Sequence, residues 1–315
     1  MRCLIIGGAG FIGSCVTWML AETGRDVYVL GRHPRPLHKL PPRATYISGD
    51  LKDRALLSAV LADASEVIDL AYSTVPKTSF DDPVHDILSN LPAGVILLQE
   101  AARTTLKKMV FVSSGGTVYG KANKLPIDEM HPTNPISPYG ITKLTMEHYM
   151  SMFKILTGLP VAIARPGNAY GEDQSAFTGQ GFIATAIQSI LQGKKIDIFG
   201  KLGTVRDYLH VSDIARGIIA VMEYGDAGQV YNIGSGIGRN NLDVLNSIKP
   251  LALAIGLNIE VNFLSERVFD VPANILSSKK LCSVSGWQPQ ITFEEGIQRV
   301  WNNFVKQFES VTGNL

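Results

Sequence analysis

The first half of this 315-residue chain alternates short apolar runs with segments of helical periodicity, which constrains the fold more than any other feature. Six runs are predicted strands, at Cys3–Ile6, Asp26–Leu30, Ala44–Ile47, Glu66–Leu70, Lys108–Val112 and Pro160–Ala164. Four intervening segments are predicted helices, at Phe11–Glu22, Arg54–Leu61, Val84–Arg103 and Pro138–Leu156. Continuously apolar runs are typical of strands that helices cover on both faces. The sequence therefore predicts an α/β fold with a doubly wound parallel sheet.

The alternation breaks down after residue 166. A helix is predicted at Phe177–Leu191, followed by short strands at Lys195–Phe199, Gln229–Asn232 and Glu260–Asn262. No Ser/Gly-rich linker separates the two regions. We therefore predict a first domain over residues 1–166 and a smaller C-terminal α/β lobe over residues 167–315, with more than one crossing of the chain between them.

Composition excludes several classes of partner. The net charge of +1, from 29 basic and 28 acidic residues, argues against a nucleic-acid or polybasic membrane partner. Cys3, Cys15 and Cys282 are widely spaced and form no CxxC motif, so neither a disulfide framework nor a metal site is expected. No apolar run approaches the roughly 18 residues of a membrane span. The N-terminal run is too short for a signal-peptide core, so we expect a cytoplasmic protein.

A glycine-rich loop follows the first predicted strand. Gly7, Gly10 and Gly13 are spaced G-x-x-G-x-x-G between that strand and a helix. Glycines allow a tight turn and close approach to a pyrophosphate, and the helix N-terminus offers free N–H groups. The context predicts a Rossmann-like dinucleotide site, to which Phe11 and Ile12 at the start of the helix are also assigned.

The end of the second strand bears on the choice of dinucleotide. NAD-specific folds usually carry an acidic residue there, but this chain has Gly31 followed by Arg32. A guanidinium at this place can bind a 2′-phosphate, which favours NADP slightly, or it can stack on adenine with either cofactor. Asp50, after the third strand, is interpreted equally well as an acceptor for the adenine amino group or as a helix N-cap.

Tyr139 and Lys143 stand at i and i+4 in a predicted helix and so share a face. An ammonium beside a phenol stabilises the phenolate, which lowers the pKa of the tyrosine and suits it to acid/base chemistry near neutrality. The two residues are therefore the candidate catalytic pair.

Six motifs in one order carry a resemblance that covers essentially the whole chain. They are GGAGFIG (7–13), SSGGTVYG (113–120), YGITK (139–143), RPGNAYG (165–171), VRDYLHVSD (205–213) and YNIGSG (231–236). The chain resembles the extended short-chain dehydrogenases/reductases, in the nucleotide-sugar epimerase/dehydratase branch that includes the UDP-galactose 4-epimerases. That resemblance favours NAD as cofactor and implies further cofactor contacts from Leu51 and Asn90.

One catalytic position departs from the family pattern. The resemblance implies a Ser or Thr that hydrogen-bonds the reacting sugar hydroxyl, and Gly115 occupies its place. Thr117 is the favoured substitute and Ser114 the second. Dehydratases carry an Asp-Glu pair where this chain has Gly116 and Thr117, so dehydration and acid-assisted decarboxylation are set aside.

The resemblance also implies a set of substrate-binding residues in the C-terminal lobe. Asn168 and Arg206 would contact the diphosphate, Phe199 would stack on the base, and Arg267 and Asp270 would lie near the nucleotide. At the family position that restricts the sugar pocket this chain has Asn274. Asparagine there leaves both plain and N-acetylated hexoses open.

The leading functional hypothesis is 4-epimerisation of a UDP-hexose through a transient 4-keto sugar, within polysaccharide precursor synthesis. The rivals are an NADPH-dependent nucleotide-4-keto-6-deoxysugar reductase and a dinucleotide-binding protein with weakened catalysis. The resemblance further implies a homodimer through the predicted helices Val84–Arg103 and Pro138–Leu156. Its contacts would come from apolar residues on those helices, namely Ile87, Leu91, Val95, Leu98, Met146, Met150 and Phe153.

Overall fold

A computed structural model describes residues 1–267 and 270–312. Its largest element is a seven-stranded sheet in which all neighbours pair in parallel. The strands are numbered along the chain, and from one edge of the sheet to the other they are β3 (Thr45–Ser48), β2 (Asp26–Gly31), β1 (Arg2–Ile6), β4 (Glu66–Asp69), β5 (Lys108–Val112), β6 (Val161–Pro166) and β10 (Val230–Ile233). This order reverses direction beside β1, so the predicted doubly wound, Rossmann-like fold is confirmed.

Helices cover both faces of this sheet because successive strand side chains point to opposite sides. Cys3 and Ile5 of β1 pack into a cluster with α1 (Phe11–Glu22) and α7 (Val211–Tyr224). Leu4 and Ile6 pack into a second cluster on the other face. The helices of that face are α2 (Arg54–Ala62), α4 (Pro83–Ala101) and α5 (Pro138–Thr157), with the short α3 (Pro76–Asp81) beside α5.

The C-terminal part has its own small sheets and its own core. One sheet contains β7 (Asn168–Tyr170), β9 (Val205–His210), β11 (Gly238–Arg239) and β13 (Ala273–Asn274), and another pairs β8 (Ile196–Phe199) with β12 (Val261–Leu264). The remaining helices are α6 (Phe182–Leu191), α8 (Asn241–Ala254), α9 (Lys279–Ser285) and α10 (Phe293–Thr312). Side chains of α6, α8 and α10 form a separate apolar core.

All the elements predicted for the first half of the chain are present, but the structure of the second half differs from the prediction. The helix predicted from Phe177 begins only at Phe182, because Phe177, Gly179 and Gly181 adopt left-handed backbone conformations with φ of 59°, 84° and 88°. Helix α3 was not predicted at all.

The chain returns to the large sheet after β7, β8 and β9. The strand predicted at Gln229–Asn232 is β10, which pairs with β6, and α7 packs on α1. The division into 1–166 and 167–315 stays a prediction. Within the described residues no helix is both long and apolar enough to cross a membrane.

Candidate active site

The glycine loop links β1 to α1 at the carboxyl edge of the sheet. Gly7 has a left-handed φ of 77°, and its N–H donates to the Leu30 carbonyl at 2.8 Å. The Gly10 N–H donates back to the Gly7 carbonyl at 3.0 Å, and a β-carbon at Gly13 would collide with that same carbonyl. Gly10 caps α1 without a side chain. The local backbone therefore leaves the helix N-terminus open to a ligand.

A cleft of about 410 Å³ opens beside this loop. It lies within the range of cofactor sites. Its lining includes six of the residues predicted to bind cofactor, namely Gly7, Gly10, Arg32, Asp50, Leu51 and Asn90. Phe11, Ile12 and Gly13 form the adjoining first turn of α1. The cleft and the glycine cradle together fit an extended dinucleotide.

Tyr46 lies directly over position 31. A β-carbon at Gly31 would lie 2.7 Å from the Tyr46 hydroxyl, which donates to the His33 carbonyl at 2.7 Å. Arg32 is exposed, and its Nη1 lies 3.5 Å from Ser73 Oγ. A side chain at position 31 would therefore require the Tyr46 ring to move, and the carboxylate of an NAD-specific fold is absent here.

The alternative interpretation of Asp50 as a helix cap is wrong. Asp53 caps α2, with its Oδ1 accepting from the Leu56 N–H at 3.1 Å. Asp50 Oδ1 instead accepts from the Lys52 N–H at 2.8 Å, which leaves Asp50 at the lining of the cleft.

The candidate acid/base pair lies on the first turns of α5. Ser137 caps this helix by accepting from the Gly140 N–H at 3.1 Å. The buried Lys143 Nζ donates to the Val112 carbonyl at 2.8 Å and lies 5.8 Å from the centroid of the Tyr139 ring. The i, i+4 spacing therefore brings the ammonium and the Tyr139 ring to the same face of α5, as predicted, and their catalytic role stays a prediction.

Electrostatics in this pocket differ from the prediction for Tyr139. Burial lowers the pKa of the Lys143 ammonium to about 8, although Asp69, Glu147 and Asp86 act to raise it. Burial also raises the pKa of the Tyr139 phenol, and Asp86 adds to that rise. The expected lowering of the tyrosine pKa is therefore not seen in the protein by itself, because desolvation and a nearby carboxylate both raise it.

Two residues that sequence reasoning missed complete this pocket. Tyr72 lies with its ring centroid 3.9 Å from Lys143 Nζ and 5.1 Å from the Tyr139 ring. Asp69 ends β4, lines the cleft, and has its pKa raised to about 6 by burial, which the Lys143 charge opposes. Their position at the carboxyl end of a central parallel strand is the signal that could have identified them.

Gly115 has no room for the hydroxyl side chain expected there. A β-carbon would lie 2.5 Å from Leu276 Cδ1 and 2.8 Å from the Arg165 carbonyl. Thr117 keeps its Oγ1 buried without a hydrogen-bond partner in the described chain, and its carbonyl packs on Gly140. Ser114 is partly exposed nearby. The structure thus explains the departure at 115 and brings Thr117 next to the start of α5.

A second cavity, of about 120 Å³, holds Asn168 and Arg206. Arg206 Nη1 donates to the Val205 and Val271 carbonyls at 2.9 and 2.7 Å. Burial lowers the pKa of the Arg206 guanidinium, while Tyr208 and Asp270 act to raise it. Other lining residues were not predicted, since they come from separated segments; they include Tyr170, Gln174, Gln180, Phe182, Thr204 and Asn241.

Of the other predicted substrate residues, Phe199, Arg267 and Asp270 lie close to one another, and Asn274 lies apart from them against the 113–120 segment. The Arg267 guanidinium lies 3.3 Å from the Phe199 ring centroid, and the Asp270 N–H donates to the Arg267 carbonyl at 3.1 Å. Asn274 is fully buried, and its Nδ2 donates to the Gly115 carbonyl at 3.0 Å. Asn274 therefore contacts the backbone of the 113–120 segment.

Known proteins resemble this chain over nearly its full length. The model of the NAD dependent epimerase/dehydratase family matches residues 3–234. A UDP-glucose 4-epimerase of Mycolicibacterium smegmatis is 33% identical over 308 residues, covering 95% of this chain and 97% of the relative.

Solved structures give the same picture. UDP-glucose 4-epimerase from Thermotoga maritima with UDP-glucose aligns with a TM-score of 0.92 at 32% identity, covering 98% of this chain and all of the other. The Thermus thermophilus UDP-glucose 4-epimerase complex with NAD aligns with a TM-score of 0.89 at 31% identity, over 97% of this chain and 99% of the other. With its glycine cradle, its Tyr139–Lys143 pair and these full-length matches, the chain belongs to the NAD-dependent epimerase/dehydratase family.

Proposed function

We propose that this protein is a 4-epimerase of a UDP-hexose. The observation that carries the proposal is the surroundings of Tyr139, which contacts a residue of the cofactor cleft and begins the helix that packs against Thr117. Tyr72 lines the cofactor cleft and contacts Tyr139, while Thr117 packs on Gly140. A β-carbon at Gly116 would lie 3.4 Å from Asn168 Oδ1, at the wall of the second cavity. Tyr139 thus adjoins the cofactor cleft through Tyr72 and the 116–117 segment through Gly140, and the UDP-glucose 4-epimerase relatives favour this reaction.

Residues of the large cleft would hold NAD. Gly7 and Gly10 would face its pyrophosphate, and Arg32, Asp50 and Leu51 its adenosine. Bound NAD supplies a reversible hydride acceptor for the sugar carbon. The protein's own part would be to move one proton, from the sugar 4-hydroxyl to the Tyr139 phenolate and back to the 4-keto oxygen after the sugar has turned over. Burial and Asp86 disfavour that phenolate in the protein by itself, and the positive charge of an oxidised nicotinamide held nearby would favour it. Arg206 and Asn168 would hold the diphosphate while this happens.

Thr117 is the hydroxyl that we propose to assist the proton transfer. Its Oγ1 is buried and has no partner among residues 1–267 and 270–312, so a sugar hydroxyl would satisfy it. Ser114 is the alternative. Gly116 and Thr117 carry no carboxylate, which argues against elimination of water from the sugar.

Product analysis tests the function directly. Purified protein incubated with a panel of UDP-hexoses and NAD should interconvert a C4-epimeric pair without net change in reduced nicotinamide. Net consumption of NADPH with a 4-keto-6-deoxy sugar would instead support the reductase. Binding of dinucleotide without conversion of any sugar would instead support the alternative of a dinucleotide-binding protein with weakened catalysis.

The loop after β2 bears on whether the protein accepts NAD alone or NADP as well. Relatives point to NAD, but Gly31 carries no carboxylate that would repel a 2′-phosphate, so we propose that NADP is also accepted. Arg32→Ala should weaken NADP binding about tenfold and change NAD binding little, since one charge-assisted contact is lost. Arg35→Ala is the matched control, because Arg35 is exposed but outside the cleft lining. Equal losses for both dinucleotides would contradict this role.

We also propose a homodimer through α4 and α5. Of the seven residues predicted to form the interface, Leu98, Met146 and Met150 are buried inside the subunit, so they are unavailable. Ile87 remains exposed, and further exposed apolar residues on the two helices are Val84, Leu88, Ile141, Met152, Ile155 and Leu156. A broad apolar face of this kind is typical of an interface.

A further inference from the structure

We propose that Tyr72 is a positioning residue of the acid/base pair, held by a buried hydrogen-bond chain that ends at Asp86. The proposal rests on the proposed function, since it gives Tyr72 a part in the same proton transfer. Tyr72 lies in the loop after β4, where no sequence motif marks it.

Tyr72 contacts both members of the pair. Its ring presents a face to the Lys143 ammonium, 3.9 Å from the centroid, and meets the Tyr139 ring edge-on at 5.1 Å and 73°. The ammonium has one hydrogen bond in the described chain, to the Val112 carbonyl. Three aromatic rings also surround it, with the centroids of Tyr72, Phe111 and Tyr139 at 3.9, 4.9 and 5.8 Å. Aromatic faces therefore supply contacts that water would otherwise make to this cation.

A hydrogen-bond chain fixes the orientation of that ring. The Tyr72 hydroxyl donates to Thr142 Oγ1 at 2.7 Å, and Thr142 Oγ1 donates to Asp86 Oδ2 at 2.7 Å. Thr142 directly precedes Lys143 and lies three residues after Tyr139. The phenol of Tyr72 is thus tied to the same helical turns that carry the catalytic pair.

The far end of the chain anchors the backbone beside Tyr72. Asp86 is fully buried on α4, and its Oδ1 accepts from the Thr74 hydroxyl and from Asn90 Nδ2. Asn90 Oδ1 accepts from the Ser73 N–H at 2.8 Å. The side chain of Tyr72 is therefore held by α5 through Thr142, and the two residues after it are held by α4.

Loss of the Tyr72 ring should destabilise the charged ammonium of Lys143 relative to its neutral amine. The charged and titratable groups around Lys143 are Asp69 at the end of β4, Asp86 on α4, and Glu147 and Tyr139 on α5. All of them stay in place when Tyr72 alone is changed. Tyr72→Met replaces the ring by an apolar side chain that fills much of the space, so water does not take over its role.

The test follows Lys143 by NMR with ¹³C-labelled lysine ε-carbons, assigned by the signal missing from Lys143→Arg, in protein without cofactor or sugar. Tyr72→Met should lower the Lys143 pKa by about one unit. Tyr72→Phe, which keeps the ring, should lower it by less than half as much. An unchanged or raised pKa in Tyr72→Met would overturn the proposal.

A second comparison tests the chain and does not depend on Tyr72→Met folding. Thr142→Val should lower turnover about tenfold with little change in KM, and Thr142→Ser should restore it to within about twofold, because only the serine keeps the bridging hydroxyl. Equal turnover in Val and Ser variants would overturn the role of the chain. If the wild-type protein converts no sugar yet the Lys143 pKa shifts as expected, the proposed function fails and the positioning of Lys143 by Tyr72 stands.

Discussion

The phenol oxygen of Tyr139 has no hydrogen-bond partner among the residues that the structure describes. Tyr139→Phe therefore breaks no internal hydrogen bond and keeps the ring contact with Tyr72. Epimerisation should fall by about 10³-fold while cofactor binding and thermal stability are retained. Tyr149→Phe, on the same helix but away from the pair, should retain activity. Near-normal turnover by a folded Tyr139→Phe protein would refute the assignment of the acid/base.

Thr117 and Ser114 can be separated by their effects on stability and on turnover. Thr117→Val removes a buried hydroxyl that has no partner in the described part of the chain, so the free energy of unfolding should stay the same or rise by up to about 1 kcal/mol. If Thr117 assists the proton transfer, turnover should nevertheless fall about 10²-fold. Urea unfolding and product assays on both variants measure these effects. A larger loss of turnover in Ser114→Ala would identify Ser114 as the assisting hydroxyl.

At this scale the sequence identified residues that lie in motifs and missed those defined by contacts. Gly7, Gly10, Tyr139, Lys143, Asn168 and Arg206 stand in recognisable patterns, and they line or adjoin the two cavities. The constraint on Gly115 comes from Leu276 and the Arg165 carbonyl, which are distant in the chain. Tyr72 is equally invisible to spacing, because its role depends on Thr142 and Asp86 from two other elements. Motifs and residue spacing do not identify such residues, because tertiary packing between distant segments creates their contacts.

The first turn of α5 contains both its N-cap, Ser137, and the proposed acid/base, Tyr139, so a change in the cap should affect stability and turnover together. Ser137 satisfies the Gly140 N–H, so Ser137→Ala should cost about 1 kcal/mol of unfolding free energy and also lower turnover severalfold by loosening the turn that holds Tyr139. Thr292→Ala is a matched control, because Thr292 Oγ1 accepts from the Glu295 N–H at 3.2 Å at the start of α10. That variant should lose similar stability and keep its turnover. Equal losses of turnover in the two variants would contradict the link.

Elements were predicted best where apolar periodicity is long and least well where loops determine the path. The bounds of α1 and β5 agree with prediction, since continuous apolar runs fix them. The helix expected at Phe177 starts late because Gly179 and Gly181 set a left-handed path that periodicity does not detect. The six-residue α3 was missed since one short turn carries almost no periodic signal.

The exposed apolar face of α4 and α5 makes assembly testable for the whole molecule. Leu88 and Ile155 are 59% and 76% exposed, so Leu88→Lys with Ile155→Lys should convert a dimer to a folded monomer. Met130→Lys is the control, because Met130 is 91% exposed in a loop outside these helices. Light scattering at micromolar concentration gives the mass. A monomeric wild-type protein would exclude the dimer.

The return of the chain to the large sheet at β10 has a consequence for biosynthesis. Strand β10 completes one edge of the sheet next to β6, and α7 covers the face beside α1, yet both follow β7 to β9 in the chain. A ribosome-bound nascent chain therefore cannot finish the cofactor-binding sheet until residue 233 has left the exit tunnel. Until then, β6 presents an open edge and the apolar side of α1 is uncovered, a state that chaperones recognise. Completion of the large sheet must therefore wait until β7 to β9 and α7 have been synthesised.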